Sequence, residues 1–279
     1  MTEKATIIDG ESAADELIAR LSHDVSEFTR SSGVTPGLAL IALDDDPVQR
    51  LYVRKKVVQC ERAGIRPVAQ PLTAAATTQV VTDAILRLNA DPAVHGIFVQ
   101  WPLPERVDLA AVSAAIAPAK DIDGMAGSKF SPAAALASFR LLERATPALA
   151  GRAAVIASDS MVFAKPIARM LLDAKCTVTL LTRNNNELAA TCRRADVLIV
   201  ALGEPERIRG DWIKPGATVI DASVNAIAGS DGKPRYVGDV RFDEAVHVAR
   251  AITPVPGGVG PMTIACLLEN TLAAAKRHH

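Results

Sequence analysis

The 279-residue chain predicts an α/β fold in two units, and three observations carry that expectation. Short β-branched runs alternate with longer Ala- and Leu-rich stretches of helical period, the rhythm of βαβ units around a largely parallel sheet. The alternation occurs twice, on either side of an Ala-rich segment at 132–145. At this length, with 49% of residues hydrophobic, the chain can fill one large or two medium cores, and length favours two.

In the first series "GLALIAL" (37–43), "RPVAQPL" (66–72) and "GIFVQWPL" (96–103) read as strands, with helices over 47–63 and 76–90. In the second, "AAVIA" (153–157), "TVTLLT" (177–182), "VLIVAL" (197–202) and "ATVIDAS" (217–223) are strands, and 165–173 and 186–194 are helices. That second series is Rossmann-like in rhythm. Gly and Pro cluster in "PVPGGVGP" (254–261), and a final helix runs to about residue 276.

Lys plus Arg and Asp plus Glu both total 31, so net charge argues for neither nucleic acid nor an anionic membrane surface as partner. Cys60, Cys176, Cys192 and Cys266 lie far apart, with no C-x-x-C pair and no histidine at metal-ligand spacing. They read as buried thiols in a reducing compartment, and no metal is expected. No basic-then-apolar leader opens the chain and no run of eighteen uncharged apolar residues follows, so a cytoplasmic protein is expected. His278 and His279 read equally well as the stump of an expression tag.

Tyr52 and Lys56 stand at i and i+4 on one helix face. A phenol beside an amine is a usable proton-handling pair, because burial lowers a lysine pKa toward neutrality. The plainer reading is a solvated lysine, and the neighbours Arg54 and Lys55 favour it. Gln100 ends its strand in "VQWPLP", where Pro102 and Pro104 stop the ladder, and ligands of open α/β sheets gather at such carboxyl ends. In "AKDIDG", Asp121 and Asp123 read either as a solvated turn or as a carboxylate offered to the amidine-like edge of a ligand.

Taken together, "YVRKK", "VQWPLP", "KDIDG", "GDWIKPGATVIDASVN", "VGDV" and "ITPVPGGVGPMTIACLLENT" resemble, in order and over nearly the whole chain, the methylenetetrahydrofolate dehydrogenase/methenyltetrahydrofolate cyclohydrolase family of one-carbon metabolism. The resemblance implies a folate-binding catalytic domain at 1–125, with the C-terminal helix 255–279 packing back on it. It also implies a Rossmann-like NADP domain at 132–254, tetrahydrofolate in a cleft between the two domains, and a homodimer. By the same resemblance Lys56 is the acid/base residue of the cyclohydrolase step, Tyr52 stacks on and orients the folate, Gln100 hydrogen-bonds Lys56, and Asp123 holds the pterin ring. Pro102 joins the folate contacts, and the loop carrying Pro256, Gly257, Gly258 and Pro261 closes around the folate.

Departures from the family pattern concentrate on the coenzyme side. The family's G-x-S-x-x-V-G-x-P turn is read here over Ala157–Pro166, with alanine for both glycines, one inserted residue, and Asp159 bringing a carboxylate toward a pyrophosphate. Losing glycine costs about 1 kcal/mol per site if φ is positive there. Pro132 follows Gly124 after a shortened loop, with Ala133, Ala134 and Ala135 in the C-T-P positions, and "LTRNNN" keeps Arg183 without the family's histidine. Gln49 replaces a frequent Ser and Trp101 a frequent Leu.

These departures make Ser158, Ser160, Arg183 and Asn225 doubtful cofactor contacts and NADP an improbable cofactor. The expectation is then an enzyme acting on 5,10-methylene- or 5,10-methenyltetrahydrofolate without hydride transfer. It would be a cyclohydrolase-type hydrolase or would pass the methylene carbon to a second, nucleophilic substrate. The alternatives are the bifunctional NADP-dependent dehydrogenase/cyclohydrolase and a non-catalytic folate-binding subunit.

Overall fold

A computed structural model describes residues 4–43, 45, 47–229 and 233–278, so His279 lies outside the described residues. Two compact units emerge: one built from the chain up to Ala14 plus Ala134–Thr263, the other from Asp15–Ala133 plus the chain from Ile264 onward.

The chain opens with β1 (Thr6–Ile7) and α1 (Gly10–Ser32). Neither is among the expected elements, yet Ala13, Ala14, Leu17, Ile18, Leu21 and Val25 are buried at helical spacing along α1. Asp9 Oδ1 accepts from Ser12 N at 2.9 Å at the start of α1, and Gly33 takes positive φ just past its end.

There follow β2 (Gly37–Leu43), α2 (Pro47–Ala63), β3 (Arg66–Leu72), α3 (Thr78–Ala90) and β4 (Gly96–Val99), then α4 (Leu109–Ala115) and α5 (Ala133–Ala145). The three strands form a parallel sheet in the order β3-β2-β4. Central β2 buries every residue, which is why its sequence is an unbroken apolar run and not an alternating one. β4 stops at Val99, short of the expected residue 103, where Gln100 N still donates to Ile41 O before Pro102 ends the possibility of pairing.

The second series runs β5 (Ala153–Ser158), α6 (Met161–Asp173), β6 (Thr177–Leu181), α7 (Leu188–Cys192), β7 (Val197–Ala201) and β8 (Thr218–Asp221). An antiparallel hairpin of β9 (Asn225–Ala228) and β10 (Pro234–Val237) comes next, then α8 (Phe242–Ala245), β11 (Ala251–Ile252) and α9 (Val259–His278). The main sheet is parallel throughout, in the order β1-β11-β8-β7-β5-β6. From β5 the chain first moves to β6 on one side and then returns to β7 on the other. A crevice outside the carboxyl ends of β5 and β7 follows from that reversal, and it is the general ligand position of such sheets. α6 begins at Met161 and not at 165, because Ser160 caps it by accepting from Phe163 N at 3.4 Å.

Two glycines in the first unit are explained by close backbone approach. Gly10 N donates to Gly257 O at 3.0 Å, and a Cβ on Gly10 would lie 1.8 Å from Gly258 O. A Cβ on Gly258 would lie 2.5 Å from Pro254 O, and Gly257 has φ of 103°. The start of α1 is thereby pinned against the loop that leads into α9. Gly10→Ala is expected to lower stability by about 2 kcal/mol or more in urea unfolding. Gly260→Ala, at a position with nothing within 4 Å, is expected to lose none; equal midpoints for both variants would contradict this packing account.

Candidate active site and coenzyme crevice

α2 leaves the carboxyl end of β2 and turns Gln49, Lys56 and Cys60 inward on one face, while Arg54 and Lys55 point to solvent. Lys56 is therefore the buried member of a basic triplet, with 7% of its surface exposed. Its Nζ donates to Gln100 Oε1 at 2.8 Å and stands 4.8 Å from the Phe98 ring centroid and 5.9 Å from that of Tyr52. Gln100 Nε2 donates to Trp101 O at 3.0 Å, which fixes the amide so that its oxygen faces the lysine. Burial pushes the Lys56 ammonium down to about 8, against the opposing field of the Asp123 carboxylate.

Asp123 lies in front of α5, where Oδ1 accepts from Ala133 N at 2.8 Å. Burial pushes its carboxyl up to about 6, while the Ala133 N–H pulls it back. The two aspartates of "AKDIDG" thus separate. Asp121 is fully buried and accepts from Met125 N, Ala126 N and Ser128 N, so it shapes the following turn, while Asp123 shares an electrostatic environment with Lys56.

Tyr52, Lys56, Gln100 and Asp123 therefore come together within one unit, and Pro102 is exposed beside them. Two positioning roles are absent from the sequence reading, which notes Gln49 only as a replacement for a frequent Ser and does not single out Asn270. Gln49, 2% exposed, accepts from Leu43 N at 3.0 Å and donates to Pro102 O at 2.6 Å, tying α2 to the segment that carries Gln100. Asn270 donates to Ile122 O at 2.8 Å and Ser131 O at 3.0 Å, bracing both sides of the Asp123 turn from α9. Neither role had a local signal, since the bonds that tie Gln49 to Pro102 and Asn270 to Ile122 and Ser131 each span dozens of residues of chain. Pro256 is exposed and Gly257 partly so, Gly258 is buried, and Pro261 lies in the first turn of α9, all in the other unit except for the remainder of that helix.

In that other unit the glycine-free turn departs from its expectation. Ala157 lies in β5 and Ala164 in α6, and among the described residues only Lys175 and Glu206 combine a side chain with positive φ. No conformational penalty falls on either alanine. Counting back from Pro166, the nine-residue family pattern falls on Ser158–Pro166, so no residue is inserted; Ser160 stands on its serine, Ser158 and Ala164 stand on its two glycines, and Ser158 does not take positive φ either. Asp159 does not present a bare carboxylate: it accepts from Arg183 N at 2.9 Å and from Arg183 Nε, and these bonds hold its pKa below the usual range. The charge expected to oppose a pyrophosphate is already paired.

The residues here fit a dinucleotide. The N-terminus of α6 opens to solvent at the carboxyl edge of β5, and at the end of β7 Gly203 has φ of 69° with nothing within 4 Å of where a Cβ would stand. Behind the crevice, the Asp239 carboxylate accepts from Leu202 N, Gly203 N and Glu204 N, from Ser223 Oγ at 2.6 Å and from Asn225 Nδ2 at 2.9 Å. Asn225 thus braces the loop after β7. Asp221 ends β8, accepts from Val240 N at 2.7 Å and lines a cavity of about 440 Å³ with Thr253 and Val255. A Cβ on Gly238 would come within 2.0 Å of its Oδ2, which accounts for the glycine of "VGDV". Among the described residues no group of three His, Cys, Asp or Glu side chains could hold a metal, and no helix is long and apolar enough to cross a membrane.

Sequence models of the tetrahydrofolate dehydrogenase/cyclohydrolase catalytic domain and of its NAD(P)-binding domain match residues 8–123 and 132–279. The chain belongs to the tetrahydrofolate dehydrogenase/cyclohydrolase family. It is 47% identical over 282 residues to bifunctional protein FolD 2 of Paracoccus denitrificans, covering 98% of this chain and 93% of that one. It is 44% identical over 288 residues to bifunctional protein FolD of Gluconobacter oxydans, covering 99% and 94%. Among solved structures it is similar to the bifunctional FolD enzyme of Campylobacter jejuni, at 36% identity and a TM-score of 0.90 over 99% of this chain and all of that one. The Trypanosoma brucei enzyme, solved with NADP and an inhibitor, gives 34% identity and a TM-score of 0.93 over 99% and 98%. These findings overturn the expectation that NADP is an improbable cofactor: the second half of the chain matches an NAD(P)-binding domain, and the turn on which the expectation rested carries neither strain nor an unpaired charge.

Burial pushes the Asp221 carboxyl from 3.8 up to about 7. The folded chain therefore holds a proton that the unfolded chain releases at lower pH, so this contribution to stability is full below 3.8 and is lost as pH rises through about 7. Wild-type stability is expected to fall relative to Asp221→Asn across that window in urea unfolding at a series of pH values. A difference that stays flat would contradict the assignment.

Proposed function

We propose that this chain is a bifunctional, NADP-dependent methylenetetrahydrofolate dehydrogenase and methenyltetrahydrofolate cyclohydrolase. The observation that carries the hydrolytic half is the buried Lys56 amine held on Gln100 Oε1 at 2.8 Å, with Asp123 in its electrostatic environment. The dehydrogenase half is supported by the NAD(P)-binding match and by the bifunctional relatives, and it displaces the reading without hydride transfer. A methylene acceptor as second substrate then has no role.

In this reading Asp123, ionised above about pH 6, accepts hydrogen bonds from the amidine edge of the pteridine, and Tyr52 offers its ring face for stacking. Bound NADP supplies an acceptor for hydride from the methylene carbon. Ser160 and Arg183 would hold it, with the buried Ser158 acting through Ser160 N and Asn225 through Asp239. For the hydrolytic step Lys56, in its neutral form, takes the proton of the water that attacks the methenyl carbon and returns it to the departing ring nitrogen. A lysine near 8 suits both transfers, because either protonation state is accessible near neutral pH. Gln100 keeps the amine aimed as it changes charge. The folate role of Pro102, Pro256, Gly257, Gly258 and Pro261, the homodimer and the cytoplasmic location rest on family resemblance.

With methylenetetrahydrofolate and NADP, absorbance of the reduced nicotinamide is expected to grow, and its absence would remove the dehydrogenase half. Lys56→Ala is expected to slow methenyltetrahydrofolate hydrolysis by about 10²–10⁴-fold. Lys56→Arg should not restore it, because a guanidinium stays protonated. Wild-type hydrolysis, corrected for the uncatalysed rate, should rise with pH to a plateau above about 8, since the neutral amine is the working form. A Lys56→Ala variant with wild-type rate would contradict the assignment.

A further inference from the structure

The end of the second strand of a dinucleotide-binding sheet is where the ribose 2′ position is read, by a carboxylate for a hydroxyl or by an arginine for a phosphate. Here β6 ends at Leu181 and Arg183 follows two residues later, beside the turn after β5. An arginine stands at that position, and a carboxylate from the turn after β5, Asp159, is bonded to it. Asp159 Oδ1 accepts from Arg183 N at 2.9 Å, and its Oδ2 accepts from Arg183 Nε. Arg183 Nη2 donates to Leu202 O at 2.8 Å, and Nη1 stands 3.8 Å from Glu204 Oε1, which places a second carboxylate against the same guanidinium. Asp159 and Arg183 are about one-third exposed, so the pair is open to an incoming ligand.

We propose, resting on the dinucleotide reading above, that Asp159 is a specificity-determining residue that narrows this enzyme's preference for NADP over NAD. A 2′-phosphate approaching Arg183 brings about two negative charges toward Asp159 and Glu204, and it must exchange with the Asp159 carboxylate for the Nε donor. A 2′-hydroxyl meets no such opposition, because it can donate to Asp159 without moving the arginine. The arginine attracts the phosphate and the aspartate taxes that attraction, so the two coenzymes differ less in affinity than an unpaired arginine would make them. Glu204 contributes from farther away, and its other oxygen is 3.6 Å from Arg207 Nε.

Replacing Asp159 by Ser removes the competing carboxylate and leaves Arg183 in place. Titration calorimetry of the full chain with NADP, with NAD, and with the fragments 2′,5′-ADP and 5′-AMP reads the effect without requiring turnover. In Asp159→Ser, NADP and 2′,5′-ADP are expected to bind about tenfold more tightly, with NAD and 5′-AMP unchanged or weaker. The salt dependence of NADP binding should steepen as the guanidinium takes up the phosphate. Asp159→Asn, which keeps the shape of the turn, should shift the same ratio in the same direction and serves if the Ser variant does not fold. An NADP-to-NAD affinity ratio unmoved in a folded variant would overturn the proposal. Failure of hydride transfer with both coenzymes in the wild type would instead strike the proposed dehydrogenase function, and the affinity ratio would still decide the role of Asp159.

Discussion

The Lys56 ammonium reaches Gln100 Oε1 from a position nearly sealed from water, and the chemistry of the first sheet depends on that one hydrogen bond. An amine removed from water prefers to be neutral, and a carboxylate nearby prefers it charged; the balance leaves it near 8, where proton transfer in both directions is feasible. The surroundings serve to keep that balance. Gln49 clamps the end of β2 to Pro102, Trp101 O orients the Gln100 amide, and Asn270 holds the turn on which Asp123 sits. Each bond is made inside the fold, where an unsatisfied partner is expensive, so the arrangement is over-determined and not adjustable one residue at a time.

The second sheet uses carboxylates differently. Asp239 gathers five donors from the loops after β7 and β8 and from the start of β9 and so builds the floor of the crevice, while the Asp221 carboxyl is pushed up to about 7 by burial and packs against Gly238. Asp159 sits at the rim and is paired with Arg183. Three aspartates of one unit thus act as a scaffold, a buried acid and a surface partner, a division set by how many N–H groups reach each one and by how much water remains.

Much of the architecture was legible because buried parallel strands leave apolar runs that need no alternation, as in "GLALIAL", and because proline marks where a strand must stop, as after Gln100. Helix α1 has no counterpart among the elements expected from sequence although its apolar residues fall at helical spacing, and α6 begins four residues before the expected 165, because Ser160 caps it and Pro166 is accommodated inside the helix. At the active site, the Tyr52 and Lys56 spacing could not say which side of α2 faced inward; the buried Gln49 and Cys60 on the same face decide it. The coenzyme turn departs from its sequence expectation for a physical reason: the cost of replacing glycine depends on φ, and the cost of an acid depends on its partner. Neither the backbone angles of Ala157 and Ala164 nor the reach of Arg183 across twenty-four residues is written in the local sequence.

The account stands on the state of one amine, and that state can be read directly. Chain labelled with ¹³C at lysine, with the Lys56 signal assigned by its disappearance in Lys56→Arg, allows the side-chain carbon next to Nζ to be titrated by NMR. A midpoint near 8 is the predicted result, and a midpoint at the ordinary 10.5 would contradict the claim that burial has prepared Lys56 for proton transfer.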